Sequence, residues 1–293
     1  MTTLTGGATE ATLEVDDLLE ATEWVALPAP HSSARHRLDW RELASTVAPP
    51  LIAVALALVA WEAWVQLRDV KEYLVPAPSA VARALGDDPS RFVRAGRVTF
   101  GHALGGLALG SGAAFILAVA MAHSRLLERA IYPLAILVKV TPVVAVAPLL
   151  IIWFGFGTAP KVLVAALITF FPMLVNAVTG LRSVDPAAHD FLRALDASRL
   201  QVLWKLRLPA SLPYVLAALR ISVPLSLIGA VVAEWMSGDD GVGQVILIAH
   251  GEFDTPVLFG SIVVLAVLGV TMTAVLAYIE GRVLHWHESS IGA

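Results

Sequence analysis

Long apolar runs alternate along this chain with shorter polar connections. Six of these runs approach the roughly 20 residues that a helix needs to cross the hydrocarbon core of a bilayer. They lack the polar face that a helix on the surface of a soluble protein presents to water, and this indicates burial in lipid. The pattern predicts an all-α, polytopic membrane protein with six transmembrane helices. These helices run over about 47–66, 98–122, 131–153, 159–178, 213–236 and 256–279.

The composition agrees with a membrane protein and excludes several classes of function. Of the 293 residues, 57% are hydrophobic and 15% are charged, whereas soluble proteins carry about 25% charged residues. The chain has no cysteine, which removes disulfides, thiolate metal sites and cysteine nucleophiles. A net charge of −4 gives no signal for nucleic-acid binding, and nothing in the sequence predicts a cofactor. Since the phosphate-binding pattern G-x-x-x-x-G-K-S/T is missing, ATP hydrolysis by that route is not expected of this chain.

Two predicted spans carry residues that set them apart from simple lipid-facing helices. The third contains Pro133, Pro142 and Pro148, which imply kinks whose freed carbonyls must be satisfied by neighbouring helices or water. The second is dense in small residues, which let helices approach closely, so we expect it to pack against protein. These small residues are Gly101, Gly105, Gly106, Gly110, Ser111 and Gly112.

The charges of the connections predict how the chain is oriented. The connection 179–212 carries five basic residues and belongs in the cytoplasm, whereas 237–255 has four acidic residues and no Lys or Arg and belongs outside. Both termini then lie on the cytoplasmic side of the membrane. Residues 67–97 disagree, because they are rich in arginine although they are predicted outside. Part of that stretch is expected to form an amphipathic helix at the membrane interface.

The two ends of the chain are polar and are interpreted as tails. Residues 1–46 are acidic and contain one short amphipathic piece, 13–24. This piece belongs either to a partly disordered cytoplasmic tail or to a helix that docks a partner. No basic start precedes an apolar run there, so the first transmembrane unit, 47–72, is expected to act as an uncleaved insertion signal. The C-terminal tail covers 286–293.

The histidines do not suggest a metal site. We expect the eight histidines to be scattered over the tail, the loops and the C-terminal end. His285 and His287 flank Trp286 beside Glu288, a spacing that could ligate a metal. A solvated cytoplasmic end is the preferred interpretation, and no metal ligand is predicted.

The connection 179–212 begins with the signature of a helix. Asp185 followed by Pro186 is a strong helix start, because aspartate caps the first turn and proline has a preset φ. A helix is therefore predicted over 187–195. Asp196 is expected to break it.

A second short helix is predicted over 198–207, and Pro209 and Pro213 are expected to close it. Two interpretations of the helix pair stay open. Two short amphipathic helices supply a rigid protrusion that fits a groove on a separate motor protein, or they lie at the membrane interface without a partner.

This loop resembles the EAA loop of binding-protein-dependent ABC transporter permeases. The family pattern is Glu-Ala-Ala, three residues, Gly and, after a dozen or so residues, an apolar residue followed by Leu-Pro. Here Asp190-Phe191-Leu192 takes the first three positions and Leu206-Arg207-Leu208-Pro209 closes the pattern. Asp196 stands in the glycine position, where aspartate tolerates the expected left-handed turn better than most residues. The resemblance assigns ATPase docking to Asp190, Arg193, Ala194, Leu195, Asp196, Ala197, Ser198, Leu208 and Pro209.

The resemblance extends over about 73–285 and points to the nitrate/sulfonate/taurine branch of these permeases. It implies a fold like that of type I ABC importer permeases, with a permease core at 73–285. That core holds five transmembrane helices and the cytoplasmic coupling loop 179–212. The segments that carry the wider resemblance are Val75–Ser79, Val146–Leu149, Trp153–Gly157, Phe171-Pro172 and Val232–Glu234.

The resemblance also implies a substrate class and a set of partners. The solute is expected to be small and polar or anionic, of the sulfonate, nitrate, vitamin-precursor or aromatic-acid class. The expected partners are a cytoplasmic dimer of ATP-binding cassette ATPases, a second permease copy in a homodimer or heterodimer, an extracytoplasmic substrate-binding protein and the lipid bilayer. The chain itself is not expected to be an enzyme. A self-contained secondary transporter or channel stays the alternative.

Ionisable side chains deep in a bilayer cost about 2.5–3.5 kcal/mol each, so each suggests a function. Lys139 and Glu234 are placed deep in the third and fifth spans. They either form an interhelical ion pair or hydrogen bond that fixes packing, or they lie beside the translocation path. We hypothesise that they line or gate the path, together with Thr141 and Asn176. The charged residues closer to span ends are expected to snorkel to the interface: Lys161, Arg220 and Glu62.

Overall fold

The computed structural model describes the backbone of residues 40–140 and 142–284 and the side chains of residues 48–133 and 142–284. Within these ranges every regular element is a helix, which confirms the predicted all-α class. The chain divides between Ala57 and Leu58 into two compact units, and every contact described below lies within the second unit. The helices are α1 (Trp40–Leu67), α2 (Pro78–Asp87), α3 (Pro89–His123), α4 (Arg125–Val140), α5 (Val143–Phe154), α6 (Thr158–Arg182), α7 (Pro186–Ala194), α8 (Arg199–Val202), a π-turn (Leu203–Arg207), α9 (Leu208–Ser237), α10 (Gly241–Gly251) and α11 (Thr255–Val283).

Five helical stretches of the described chain are long and apolar enough to cross a membrane. The fourth and sixth predicted spans are recovered within about four residues at each end, as α6 and α11. The second span starts at Pro89 instead of about 98. The Asp88 carboxylate caps this helix by accepting a hydrogen bond from the Arg91 amide at 3.0 Å, and Pro89 fills its first turn. Arg91, Arg94 and Arg97, which were predicted in a loop, therefore lie on α3.

The third predicted span is interrupted. Its residues fall on α4, with 16 residues, and α5, with 12 residues, and each is shorter than a bilayer crossing requires. A proline disfavours the helical conformation in the residue before it, and Pro142 directly precedes α5. The expectation of one span over 131–153 is therefore wrong in its continuity, although the break falls at one of the predicted kinks. The count of six transmembrane helices stays a prediction.

Helices α3, α6 and α9 pack together at the centre of the second unit. Small residues allow this close approach, as predicted for the second span. A Cβ added at Gly106 would lie 3.0 Å from the carbonyl carbon of Ala165, and one added at Gly229 would lie 2.8 Å from the Cα of Ala165. Neither position therefore tolerates a side chain without a shift of the facing backbone. Buried residues in this core include Ala103, Leu107, Ala114, Ala118, Met173, Leu174, Ala177, Leu216, Val223 and Leu227.

The connection 237–255 is more ordered than its acidic residues suggest. It contains α10, an apolar helix of 11 residues that packs against α3, α9 and α11. Val242, Val245 and Ala249 are buried there, in a cluster with Phe92. The sequence indicated only an external loop, because this helix is about half the length of a membrane span.

The arginine-rich stretch 67–97 contains the helix that was expected in part of it. This helix, α2, buries Ala80 and Val81. Glu62 of α1 holds its first turn, because the Ser79 amide and hydroxyl donate hydrogen bonds to the Glu62 carboxylate at 3.0 and 2.8 Å. Glu62 is thus a partner of α2 and does not simply snorkel.

Some sequence predictions fall outside the described residues. These are the amphipathic piece 13–24, the histidine pair at 285 and 287, and the C-terminal tail 286–293. Of the predicted N-terminal tail 1–46, the structure describes only 40–46, which already belong to α1.

Candidate functional site

The loop between α6 and α9 starts as the sequence predicts. The Asp185 carboxylate accepts a hydrogen bond from the Ala187 amide at 3.0 Å, and Pro186 is the first residue of α7. This helix ends at Ala194, within one residue of the predicted end. The predicted first coupling helix is therefore present.

Asp196 makes the turn between the two short helices of the loop. Its φ is +53°, in the left-handed region that favours glycine. On either side, the Asp196 amide donates to the Arg193 carbonyl and the Ala197 amide donates to the Leu192 carbonyl, both at 3.0 Å. This confirms the predicted left-handed turn with aspartate in the glycine position. The Asp196 side chain is exposed.

The second short helix begins with a capping box. The Gln201 amide donates to the Ser198 hydroxyl at 3.3 Å, and the Ser198 amide donates to the Gln201 side-chain oxygen at 2.7 Å. Such a reciprocal pair satisfies two amides that the first turn of a helix leaves unpaired. The start predicted at 198 is therefore fixed by side-chain hydrogen bonds.

The expected end of this second helix is wrong. The chain continues as one helical stretch from Arg199 to Ser237, through Pro209 and Pro213. A π-turn precedes Pro209, in which the Leu208 amide donates to the carbonyl of Leu203. Proline lacks the amide hydrogen that a regular helix needs, and the wider turn accommodates that loss without ending the helix.

The loop presents apolar side chains to solvent. Phe191, Leu195, Leu200 and Trp204 are each between 62% and 65% exposed. We call these four residues the apolar patch. Exposed apolar side chains of this kind suit either a protein partner or the membrane interface, the two interpretations left open for this loop.

The loop is also anchored to the membrane helices. Val202 and Leu203 are buried on its inner side, and the Arg207 guanidinium donates to the Ala122 carbonyl near the end of α3 at 2.9 Å. A cation there also compensates the partial negative charge of a helix C-terminus. The apolar patch therefore stands on a rigid support.

The nine predicted docking residues all lie on or next to this loop. Ala197 and Leu208 are partly buried and the other seven are exposed. Leu208 and Pro209 belong to the first turn of α9, beyond the short helices. The structure thus gathers the predicted residues, and their role in docking stays a prediction.

A separate polar cluster encloses Glu234. This carboxylate is completely buried. The Thr99 hydroxyl and His102 Nδ1 of α3 lie 2.8 Å from its oxygens, and the Gly243 amide of α10 donates to it at 3.0 Å. The Val242 amide in turn donates to the Thr99 hydroxyl at 2.8 Å. Glu234 thus joins three helices by hydrogen bonds, which is the first of the two roles considered for it.

The sequence analysis missed His102 as a partner of Glu234. We expected the histidines in the tail, the loops and the C-terminal end, but His102 lies inside α3 and is 4% exposed. A signal was available, because His102 is the only ionisable residue in the predicted span 98–122. Thr99 precedes it by three residues, which places both side chains on one face of a helix.

The expectation that Lys161 snorkels is wrong. Lys161 is completely buried near the start of α6, where its ammonium forms ion pairs with Asp240 and, at 2.5 Å, with Asp239. Burial raises the pKa of the Asp239 carboxyl, but hydrogen bonds from Lys161 and Ser237 and the charge of Lys161 outweigh it, so the pKa lies below its ordinary value. The pair fixes the turn between α9 and α10.

The structure describes the side chains of only some of the residues predicted to line the translocation path. The Asn176 amide donates to the Pro172 carbonyl on its own helix at 2.8 Å and is partly buried. It shares no partner with Glu234. The Lys139 side chain and all of Thr141 lie outside the described residues. Arg220, which was expected to snorkel, forms an ion pair with Glu280 at 2.6 Å.

Comparison with known proteins identifies the family. Residues 106–285 match the family described as the binding-protein-dependent transport system inner membrane component. The riboflavin transport system permease protein RibX of Chloroflexus aurantiacus is 35% identical over 92% of this chain and 100% of its own length. The putative aliphatic sulfonates transport permease protein SsuC of Bacillus subtilis is 30% identical over 83% of this chain and 88% of its own.

A solved structure agrees in fold. A chain of the inward-facing MetNI methionine ABC transporter, in its CY5 native crystal form, superposes with a TM-score of 0.54. The match covers 66% of this chain and 94% of that one at 16% sequence identity, so it supports the type I importer-like fold and nothing finer. Together with the family match, it places this multi-pass membrane chain among the permeases of binding-protein-dependent ABC importers.

Proposed function

We propose that this permease couples ATP hydrolysis in a separate cytoplasmic ATPase dimer to the import of a small polar or anionic solute. The apolar patch on the coupling loop carries this proposal. Its four side chains are exposed although the helices beneath them are capped and anchored. Such a surface suits a hydrophobic groove on a motor, and ATP-driven closure of the motor would then move α9, which continues directly from the loop.

The complete assembly has further proposed members. A second permease copy, identical or different, completes the path, and an extracytoplasmic substrate-binding protein delivers the solute. The basic coupling loop lies in the cytoplasm of a bacterial cell, with both termini on the same side. In this arrangement the first transmembrane unit, 47–72, and the permease core, 73–285, lie between an N-terminal tail, whose residues 40–46 already belong to α1, and the tail 286–293.

The path itself is proposed to involve Lys139, Thr141, Asn176 and Glu234. Buried ionisable groups in transporters commonly mark the path or its gate. The hydrogen bonds of Glu234 support a role in holding α3, α9 and α10 together at one end of that path. Transport by Lys139→Met and Glu234→Gln variants tests this assignment. Normal transport by both, in an intact assembly, would remove these two residues from the path.

Copurification and reconstitution test whether a separate ATPase drives transport. The tagged permease is expected to retain a P-loop ATPase, and transport by the reconstituted complex is expected to stop without ATP. Leu195→Asp should release the ATPase, because it buries a charge in an apolar interface. Leu126→Asp is a matched control, since Leu126 is an exposed leucine on α4 outside the loop. Transport by the permease alone, driven by an ion gradient, would instead establish the alternative of a secondary transporter.

The proposal also includes the chemical class of the transported solute. The relatives named above are a riboflavin permease and an aliphatic-sulfonate permease. We propose the sulfonate, nitrate, vitamin-precursor and aromatic-acid classes, and we would test heteroaromatic vitamin compounds first. Uptake of labelled compounds by the reconstituted complex with its binding protein decides among them.

A further inference from the structure

A cavity of about 470 Å³ lies between the coupling loop and the end of α3. We call it the basic cavity, because its polar lining consists of arginine and histidine side chains and includes no carboxylate. Three small apolar residues complete the lining. The polar residues are His123, His189, Arg193, Arg199 and Arg207.

The arginines of the basic cavity have unused hydrogen-bond donors. Among the residues that the structure describes, the guanidinium groups of Arg193 and Arg199 have no hydrogen-bond or ion-pair partner. Arg207 donates from Nη1 to the Ala122 carbonyl, and a guanidinium has five N–H donors. The cavity therefore offers a set of donors that converge without a described acceptor.

Nearby acidic residues do not neutralise this charge. Glu128 already forms a bidentate pair with Arg182. The Asp190 carboxylate is 3.7 Å from His189 Nδ1, but its side chain is 79% exposed and points to no arginine of the cavity within ion-pair distance. An adjoining cavity of about 560 Å³ is lined by Arg125, Arg129 and Arg182 and also by the carboxylates of Glu128 and Asp190.

The position of the basic cavity suggests the kind of anion that it holds. It lies between the end of α3, the two short helices of the loop and the π-turn that precedes α9. Arginine pairs bind phosphate oxygens with two parallel hydrogen bonds, more strongly than neutral donors do. Basic pockets between transmembrane helices on the cytoplasmic side suit anionic lipid headgroups.

We propose that the basic cavity is a phosphate-binding site, filled by the headgroup of an anionic phospholipid or by a soluble phosphate compound. The inference rests on the proposed function only for the cytoplasmic position of the loop. The bound phosphate would bridge the end of α3 to both short helices. It would thereby stiffen the support of the apolar patch.

Two binding measurements on the full-length, purified permease distinguish the sources. Native mass spectrometry in mixed micelles compares retention of phosphatidylglycerol with that of phosphatidylcholine. Calorimetric titration with inorganic pyrophosphate in lipid-free detergent tests the soluble source. One of these two measurements is expected to detect binding to wild type. In that measurement the Arg193→Gln/Arg199→Gln variant should bind roughly tenfold more weakly, or weaker still. The Arg91→Gln/Arg94→Gln variant removes the same charge from the other end of α3 and should bind like wild type.

Several results would overturn the proposal. It fails if wild type prefers neither phosphatidylglycerol nor pyrophosphate, or if both double variants weaken binding equally. It also fails if the Arg193/Arg199 variant binds both anions like wild type but loses the ATPase, because the cavity then holds an acidic segment of that partner. Since anion binding is read on the permease alone, a permease that recruits no ATPase contradicts the proposed function without affecting this test.

Discussion

Nδ1 of His102 lies 2.8 Å from a carboxylate oxygen of Glu234, with the two side chains only 5% and 0% exposed. A buried carboxylate is costly unless hydrogen bonds compensate it. Glu234 obtains them from Thr99 and His102 on α3 and from the Gly243 amide on α10. These hydrogen bonds together explain how a glutamate persists inside an apolar helix, and the bond from Gly243 ties α10 to α9.

Removal of the Glu234 carboxylate should destabilise the permease. Glu234→Ala leaves the hydroxyl, imidazole and amide donors around it without an acceptor, and we expect a loss of about 3 kcal/mol or more in the free energy of unfolding. Glu234→Gln retains one acceptor oxygen and should lose less. Thermal unfolding in detergent measures the difference. Glu252→Ala, at an exposed glutamate after α10, is the control, and equal effects of Glu234→Ala and Glu252→Ala would contradict the interpretation.

The close approach of α3 and α6 predicts opposite effects of two neighbouring substitutions. A Cβ at Gly110 would lie 2.9 Å from the Ala166 carbonyl carbon, whereas one at Gly112 meets nothing within 4 Å. Gly110→Ala should destabilise by about 1–3 kcal/mol through overpacking. Gly112→Ala should be neutral or stabilise by about 0.5–1 kcal/mol, because alanine loses less entropy in a helix. Unfolding midpoints of the two variants in one detergent check this, and a common sign would refute it.

The local pattern of the sequence was sufficient for the helix starts and the turn of the coupling loop. Asp185, Asp196 and Ser198 act through hydrogen bonds and dihedral angles within a few residues of themselves, so their effects are visible in a short stretch of sequence. The long apolar spans were equally visible, because their length and composition alone distinguish them.

The hydrogen bonds around Glu234 could not be predicted in the same way. Thr99 and Glu234 are 135 positions apart, and no local periodicity reports which helices meet. Lys161 and its aspartates are likewise paired by tertiary packing. The break before α5 was predicted only as a kink at Pro142, because most of 131–153 is apolar. The helix α10 was missed because it is too short for a span.

The ion pair of Lys161 and Asp239 predicts a dependence of stability on pH. The pKa of Asp239 in the folded protein is lowered, so the unfolded chain binds the proton more readily. The pair therefore contributes its full stability above the ordinary aspartate pKa of about 3.9, and this contribution is lost as pH falls below that value. We expect unfolding midpoints that stay level from about pH 7 to about pH 4 and then fall.

The Asp239→Asn variant separates this carboxyl from all others. It should unfold at a lower temperature than wild type at neutral pH, and the difference should shrink below about pH 4 as wild type loses the pair. Asp69→Asn is the control, because the Asp69 side chain is 97% exposed. A difference between Asp239→Asn and wild type that stays constant down to about pH 3 would show that the ion pair does not stabilise the turn.

The left-handed turn at Asp196 can be tested by substitution in both directions. Glycine adopts a φ of +53° without strain, while a β-branched residue there costs about 1–2 kcal/mol. Asp196→Gly should therefore keep or slightly raise stability, and Asp196→Val should lower it.

If the turn sets the angle between the two short helices, Asp196→Val should also reduce the ATP hydrolysis that the permease stimulates in its ATPase, whereas Asp196→Gly should preserve it. Asp196→Asn, which removes the charge but tolerates the left-handed region, controls for loss of charge, and equal stimulation by the asparagine and valine variants would show that the geometry of this turn does not matter for coupling.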